Sequence, residues 1–229
     1  MAAPRNVNDG SKNPPRLAIY GNNWAMLELP KRPAARDWSF EEIADKMVAA
    51  GFHGIQADPQ VRNAINARGL RYATSGRVNS VTEAQRHIQL VAEEAGADCT
   101  TLHVGWGFET DAQIDALVGA ILEASAKYNV PAYIETHRST IAQDAFRICR
   151  MIERSPDVRF NGDFSHLYCG GELTYFGFQN ALPLLQPILQ RVSFFHGRIS
   201  NAESMQIDVG DGRDSIHAKN FQTMWTAAM

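Results

Sequence analysis

Three short runs decide the fold of this chain: Val130-Pro-Ala-Tyr-Ile-Glu135, Val158-Arg-Phe-Asn-Gly-Asp163 and Val192-Ser-Phe-Phe-His196. Each is a strand-length apolar segment that stops on a residue able to bind a metal. Successive stops lie 28 and 33 residues apart. A fourth run, Cys99-Thr-Thr-Leu-His103, stops 32 residues before Glu135. Such intervals accommodate one strand, one helix and two loops. Polar residues that would be costly in a core thus recur at the C-terminal ends of successive strands, where parallel α/β proteins put their chemistry.

The same alternation extends upstream. Residues 17–20, 54–58 and 70–74 have strand character, and Ser39 with Glu42 and Ser80 with Glu83 are capping boxes. Helices are therefore expected over 40–50 and from 81 to just before Gly96, with a short one over 61–67 closed by Gly69. Residues 110–128 carry Ile114, Leu117, Val118, Ile121 and Leu122 at helical spacing. A helix over 140–153 is expected to turn Ile141, Phe146, Ile148 and Ile152 inward. Helices over 181–190 and 216–229 complete the series, with a polar loop over 197–214.

Strands alternating with helices, without a hairpin signal, imply a parallel sheet. Gly-x-Gly-x-x-Gly does not follow the first strand, which argues against a dinucleotide-binding unit. The expected fold is a (β/α)8 TIM barrel over residues 16–229 that lacks its eighth strand. Residues 1–15, rich in Pro, Asn, Gly and Ser, read as a disordered leader and not a signal peptide.

The chain has 229 residues, 45% hydrophobic and 21% charged, as in ordinary globular proteins. A net charge of −3 without a Lys/Arg cluster gives no attraction for nucleic acid. The apolar runs are too short to span a bilayer. Cys99, Cys149 and Cys169 are odd in number and never spaced Cys-x-x-Cys, which suits a reducing compartment. A cytoplasmic protein without a membrane partner is expected, and homo-oligomerisation stays open.

Singly, Glu135 would pass for a surface residue, His196 for a core histidine and Asp163 for a loop cap. Together they differ, because barrel strand ends converge on one axis. Carboxylates brought that close repel unless a cation or proton neutralises them. Two carboxylates and one imidazole suit Mn²⁺, the leading expectation, or Mg²⁺, Co²⁺ or Zn²⁺. His166 is expected at the pocket mouth, where it could donate to a substrate oxygen, and Arg198 could hold a hydroxyl, carboxylate or phosphate. His103 and Trp106 could line the pocket, the indole flooring a sugar ring. His137 reads as support behind a ligand or as loop packing, and Asp208-Val-Gly-Asp-Gly as turns.

Glu135 in Ile-Glu-Thr-His, Asp163-x-x-His166, and His196-Gly-Arg198 followed by Gln206 resemble the xylose isomerase-like TIM barrels. That superfamily groups sugar (phosphate) isomerases and epimerases, inosose and dehydroshikimate dehydratases, and endonucleases of the AP endonuclease family 2 type. The resemblance implies metal ligation by Glu135, Asp163 and His196, with Glu135 and His166 catalytic. It implies substrate contacts from His166 and Arg198, beside the pocket lining expected of His103 and Trp106 from their place after the fourth strand. It also implies a second Glu on an eighth strand, for which this chain has no counterpart, since Glu203 is too close to His196.

The expected function is a divalent-metal-dependent isomerase or epimerase of a sugar or polyol, acting through a metal-stabilised enediolate. The alternatives are a keto-sugar or keto-inositol dehydratase and a non-catalytic sugar-binding barrel.

Overall fold

The computed structural model describes residues 17–24, 38–93 and 96–229. The leader expected over 1–15 lies outside the described residues. Seven strands form one sheet in the order β1 to β7, and every pairing is parallel. They are β1 (Tyr20–Asn22), β2 (Gly54–Gln56), β3 (Arg71–Val78), β4 (Ala97–Val104), β5 (Ala132–Glu135), β6 (Phe160–Gly162) and β7 (Val192–Phe195). Each ladder joins neighbours in sequence, and β1 and β7 do not pair. Among the described residues there is no eighth strand, so the sheet curls as a barrel with one side open.

Helices cover the outer face: α1 (Phe40–Ala49), α2 (Arg62–Asn66), α3 (Val81–Glu93), α4 (Asp111–Tyr128), α5 (Ala145–Arg154), α6 (Phe164–Gly170), α7 (Leu173–Phe176), α8 (Phe178–Leu189) and α9 (Ile216–Ala228). Of the two expected capping boxes, the first forms in full. At α3, Ser80 Oγ accepts from Glu83 N–H and the Glu83 carboxylate accepts from Asn79 N–H. A further box, not expected, opens α4. Ser39 and Glu42 close the start of α1, and Thr110 with Gln113 does the same for α4. The α4 helix ends on Asn129 in the left-handed region, φ 54°, a conformation Asn tolerates better than most residues. Its Ile114, Leu117, Val118 and Ile121 are buried in the main core with Leu102 and Ile134 of the sheet. Alternation along β5 sends Ile134 outward to the helices and leaves Tyr133 and Glu135 facing the barrel interior.

Three local expectations are corrected. The fifth helix begins at Ala145, not at 140. The Thr140 hydroxyl donates to the His137 carbonyl and accepts from Ala142 N–H, holding a turn, and Asp144 then caps the helix through Arg147 N–H. Phe146 is consequently 72% exposed instead of facing inward. The segment after β6 contains two helices that the sequence pattern hides. Phe164 to Tyr168 of α6 are all buried, so the helix has no polar face to give a 3.6-residue period. Finally, β1 is shifted by three residues, from an expected start at Leu17 to Tyr20, and Leu17 and Ile19 are left half exposed.

Candidate metal and substrate site

The C-terminal strand ends converge as expected. Glu135 closes β5, Asp163 follows β6 and His196 follows β7, and register sets Glu135 beside Asn161 and Gly162 beside Phe195. One ligand atom from each of Glu135, Asp163 and His196 falls within 4.8 Å of the others. Glu135 and Asp163 are 5% and 2% exposed, so neither charge is dispersed by solvent. The three side chains therefore fit a divalent cation: two buried carboxylate donors facing one imidazole.

Asp163 divides its work between two oxygens. Oδ1 accepts from Ser165 N–H and Ser165 Oγ, capping α6. Oδ2 faces His196 Nδ1 at 3.2 Å and accepts from Arg198 Nη2 at 2.7 Å. Burial alone would raise the Asp163 pKa. The His196 hydrogen bond and the His196 and Arg198 charges outweigh it and hold the carboxyl well below the usual range. Burial likewise opposes ionisation of Glu135. The hydrogen bond from His103 and the charges of His196 and His103 overcome it, so its pKa is also lowered. For His196, burial is outweighed by these two carboxylates, which raise its pKa.

Two side chains that sequence reasoning missed set the geometry. Asn161 Nδ2 donates to Glu135 Oε2 at 3.0 Å, leaving Oε1 turned towards His103 Nε2 at 3.1 Å and His196 Nδ1 at 3.7 Å. Gln56 Nε2 donates to Thr101 Oγ1, which orients its carbonyl oxygen to 3.2 Å from His196 Nε2. With Nε2–H donating to Gln56, Nδ1 is the nitrogen facing both carboxylates: it carries a proton to Asp163 in the ion-free site, and there its lone pair would serve a cation that replaced that proton. Such acceptors commonly fix the tautomer of a ligating histidine.

A cavity of about 890 Å³ opens onto this cluster. Glu135, His137, Asp163, His196, Arg198 and Gln206 line it at the site end. Arg198 is thus on the wall, donating through Nε to Ser165 Oγ and through Nη2 to both Asp163 and His166 Nε2. His166 is not at the mouth as expected; it is 2% exposed, beneath Arg198 and against the His137 ring at 3.8 Å. Because Nε2 accepts from Arg198, the ring proton belongs on Nδ1, which has no partner among the described residues. Burial drives the His166 pKa down to about 3, against the pull of Asp163, so the ring is neutral.

Trp106 is not brought to the cavity. Gly105 and Gly107 take φ of 63° and 88°, which glycine alone adopts readily. The turn is pinned by the Glu109 carboxylate, which accepts from the N–H groups of Trp106 and Gly107. The indole is left 53% exposed under the Arg77 guanidinium. Aromatic lining comes instead from Tyr20, Tyr133 and Phe194. Glu203 lies in the loop after β7, where it accepts a hydrogen bond from Tyr175.

No family model matches the chain, and no curated protein matches it in sequence. Among solved structures it is similar to the probable 3-DHS dehydratase AsbF, involved in petrobactin synthesis, from Bacillus anthracis. The TM-score is 0.59 and the identity 15%, over 81% of this chain and 75% of that one. It is also similar to D-allulose 3-epimerase from Methylomonas sp., with a TM-score of 0.55 and 13% identity over 80% and 73%. Identities this low speak for the fold alone. The chain shares with these two structures a parallel (β/α) TIM-barrel fold, here with seven strands among the described residues.

Proposed function

We propose that this chain is a divalent-metal-dependent isomerase or epimerase of an unphosphorylated sugar or polyol. The observation that carries the reading is the convergence of Glu135, Asp163 and His196 within 4.8 Å, with both carboxylates buried. The likeness of fold to a sugar epimerase supports it. A divalent ion held by these three residues, Mn²⁺ being the best match to the donor set, supplies Lewis acidity to a carbonyl and its neighbouring hydroxyl when bound.

Glu135 is the base. It removes the proton from the carbon beside the carbonyl, whose oxygen takes up the electron pair, and returns a proton to complete the rearrangement. The His103 and His196 imidazoles keep Glu135 ionised, and Asn161 holds one of its oxygens so that the other faces the reacting atoms. Arg198, on the cavity wall, takes a substrate hydroxyl or carboxylate. His166 serves as the neutral acceptor that orients Arg198. Tyr133 and Phe194 give the carbon skeleton an apolar surface.

The test is loss of the α-proton from unphosphorylated ketoses and keto-inositols in D₂O with Mn²⁺, followed by NMR. Exchange is expected in the wild type and should fall at least ~100-fold in Glu135→Gln. Equal exchange in that variant, or none in the wild type, would overturn the assignment. A second reading, a dehydratase, is supported by the likeness of fold to the probable 3-DHS dehydratase. The same abstraction would then expel a β-hydroxyl as water, giving an unsaturated ketone that absorbs in the ultraviolet.

A further inference from the structure

We propose that the substrate is not a free sugar but a sugar or polyol carrying an aryl substituent, which Tyr20, Tyr133 and Phe194 hold inside the barrel. The inference rests on the reading of Glu135, Asp163 and His196 as the site that takes the sugar end.

Strand alternation places the two ends. Tyr133 precedes Glu135 by two residues on β5, and Phe194 of β7 precedes His196 by two. Residues two apart share a face and stand about 7 Å apart along a strand. An aromatic layer thus lies one step below the polar one, towards the N-terminal ends of the strands. The Phe194 ring is edge-on to the His196 imidazole, with centroids 6.1 Å apart. That step matches the reach from a sugar ring to a group attached to it.

In a closed barrel each interior layer is filled by bulky side chains. Here the aromatic layer is not filled. Ala73, Cys99 and Tyr133 form a buried cluster apart from the main core, against the partly buried Tyr20 and Phe194. Ala73 and Cys99 are small, and the cavity of about 890 Å³ reaches this layer as well as the metal end. Pockets of ~300–1,000 Å³ enclose drug-sized ligands, which are larger than a free monosaccharide. Tyr20 and Phe194 already meet edge to face at 5.6 Å, a pair to which a third ring can add in the same geometry.

The Tyr133 hydroxyl is the second observation. Its side chain is 5% exposed and lines the cavity, yet the hydroxyl has no hydrogen-bond partner among the described residues. The Tyr20 hydroxyl, by contrast, is spent on Asp98. A buried phenol ordinarily finds an acceptor. Burial pushes the Tyr133 pKa up, so the group stays a donor at neutral pH. An oxygen on the aryl ring supplies the acceptor.

Titration calorimetry with p-cresol reads the aryl subsite by itself. Wild type should bind it saturably, Tyr133→Phe about fivefold more weakly for one lost hydrogen bond. Phe194→Ala should bind it at least ~10-fold more weakly, with circular dichroism confirming the fold. On the wild type, 4-hydroxyphenyl β-D-glucopyranoside should bind at least ~10-fold tighter than methyl β-D-glucopyranoside. Absence of saturable p-cresol binding, equal p-cresol affinity in Tyr133→Phe, or equal affinities for the two glucosides would overturn the proposal. The last is expected if another protein segment fills this layer. Proton exchange from ketoses without p-cresol binding would sink the aryl subsite and leave the isomerase reading intact. Binding of p-cresol without exchange from any ketose would sink the isomerase reading and leave the aryl subsite.

Discussion

The barrel interior holds charge at both ends of one cavity, and the two ends balance it differently. At the N-terminal end of the strands stands a single carboxylate, Asp98. It accepts from Arg71 Nε and Nη2 at 2.9 and 3.0 Å and from the Tyr20 hydroxyl at 2.5 Å. Charge there sums to zero with fixed partners. Packing enforces it, since a Cβ on Gly54 would stand 2.5 Å from the Tyr20 ring. At the C-terminal end two carboxylates, Glu135 and Asp163, face one guanidinium and several imidazoles. That end is balanced only by protonating His196 or by admitting a cation. A self-satisfied cluster builds structure, and an unsatisfied, more deeply buried one invites a ligand.

The largest expected effect belongs to the unsatisfied end. Asp163→Asn should weaken Mn²⁺ binding at least ~100-fold by calorimetry, more than loss of a residue behind a ligand would. If Asp98→Asn weakened Mn²⁺ equally, the contrast between the two ends would collapse. Instead Asp98→Asn should cost about 2–3 kcal/mol in urea unfolding with Mn²⁺ affinity kept. That is below the cost of breaking a fully buried pair, because Arg71 and Asp98 are about a quarter exposed.

Smaller still is Tyr20→Phe, about 1 kcal/mol at neutral pH for one hydrogen bond. It sharpens the comparison through pH. Burial, then the hydrogen bond to Asp98, pushes the Tyr20 pKa far up. The folded chain keeps that proton while the unfolded chain releases it near pH ~10. The resulting stability is present below that pH and lost above it. Asp163 and Glu135, held below their ordinary values, do the reverse: their stability is present above pH ~4 and lost as pH falls. Urea midpoints of metal-free protein across pH should show an alkaline limb flattened by Tyr20→Phe and an acid limb flattened by Asp163→Asn.

Much of this was legible in the sequence because strand ends punctuate it. Glu135, Asp163 and His196 stop apolar runs, and a polar stop is visible without knowing what lies beside it. Gln56 and Asn161 sit inside strands, where an amide reads as a defect in an apolar run. Only strand register brings Asn161 beside Glu135, and only closure of the curve brings Gln56 to His196, 140 residues away. His137 looked like loop packing because its partners come from β4 and α6. Trp106 failed because two glycines with positive φ turn its loop outward, a backbone decision that the residue types on either side do not announce.

The open side of the sheet has a consequence for how the molecule assembles. Every ladder joins strands adjacent in sequence, and the ladder that would tie first to last is absent among the described residues. Closing a barrel requires the chain to bring its two extremities together, the costliest loop it can form. Here structure can grow one βα unit at a time from the long, central β3–β4 pair. The rims, where β7 is only half buried, are then the last to form and the first to fray.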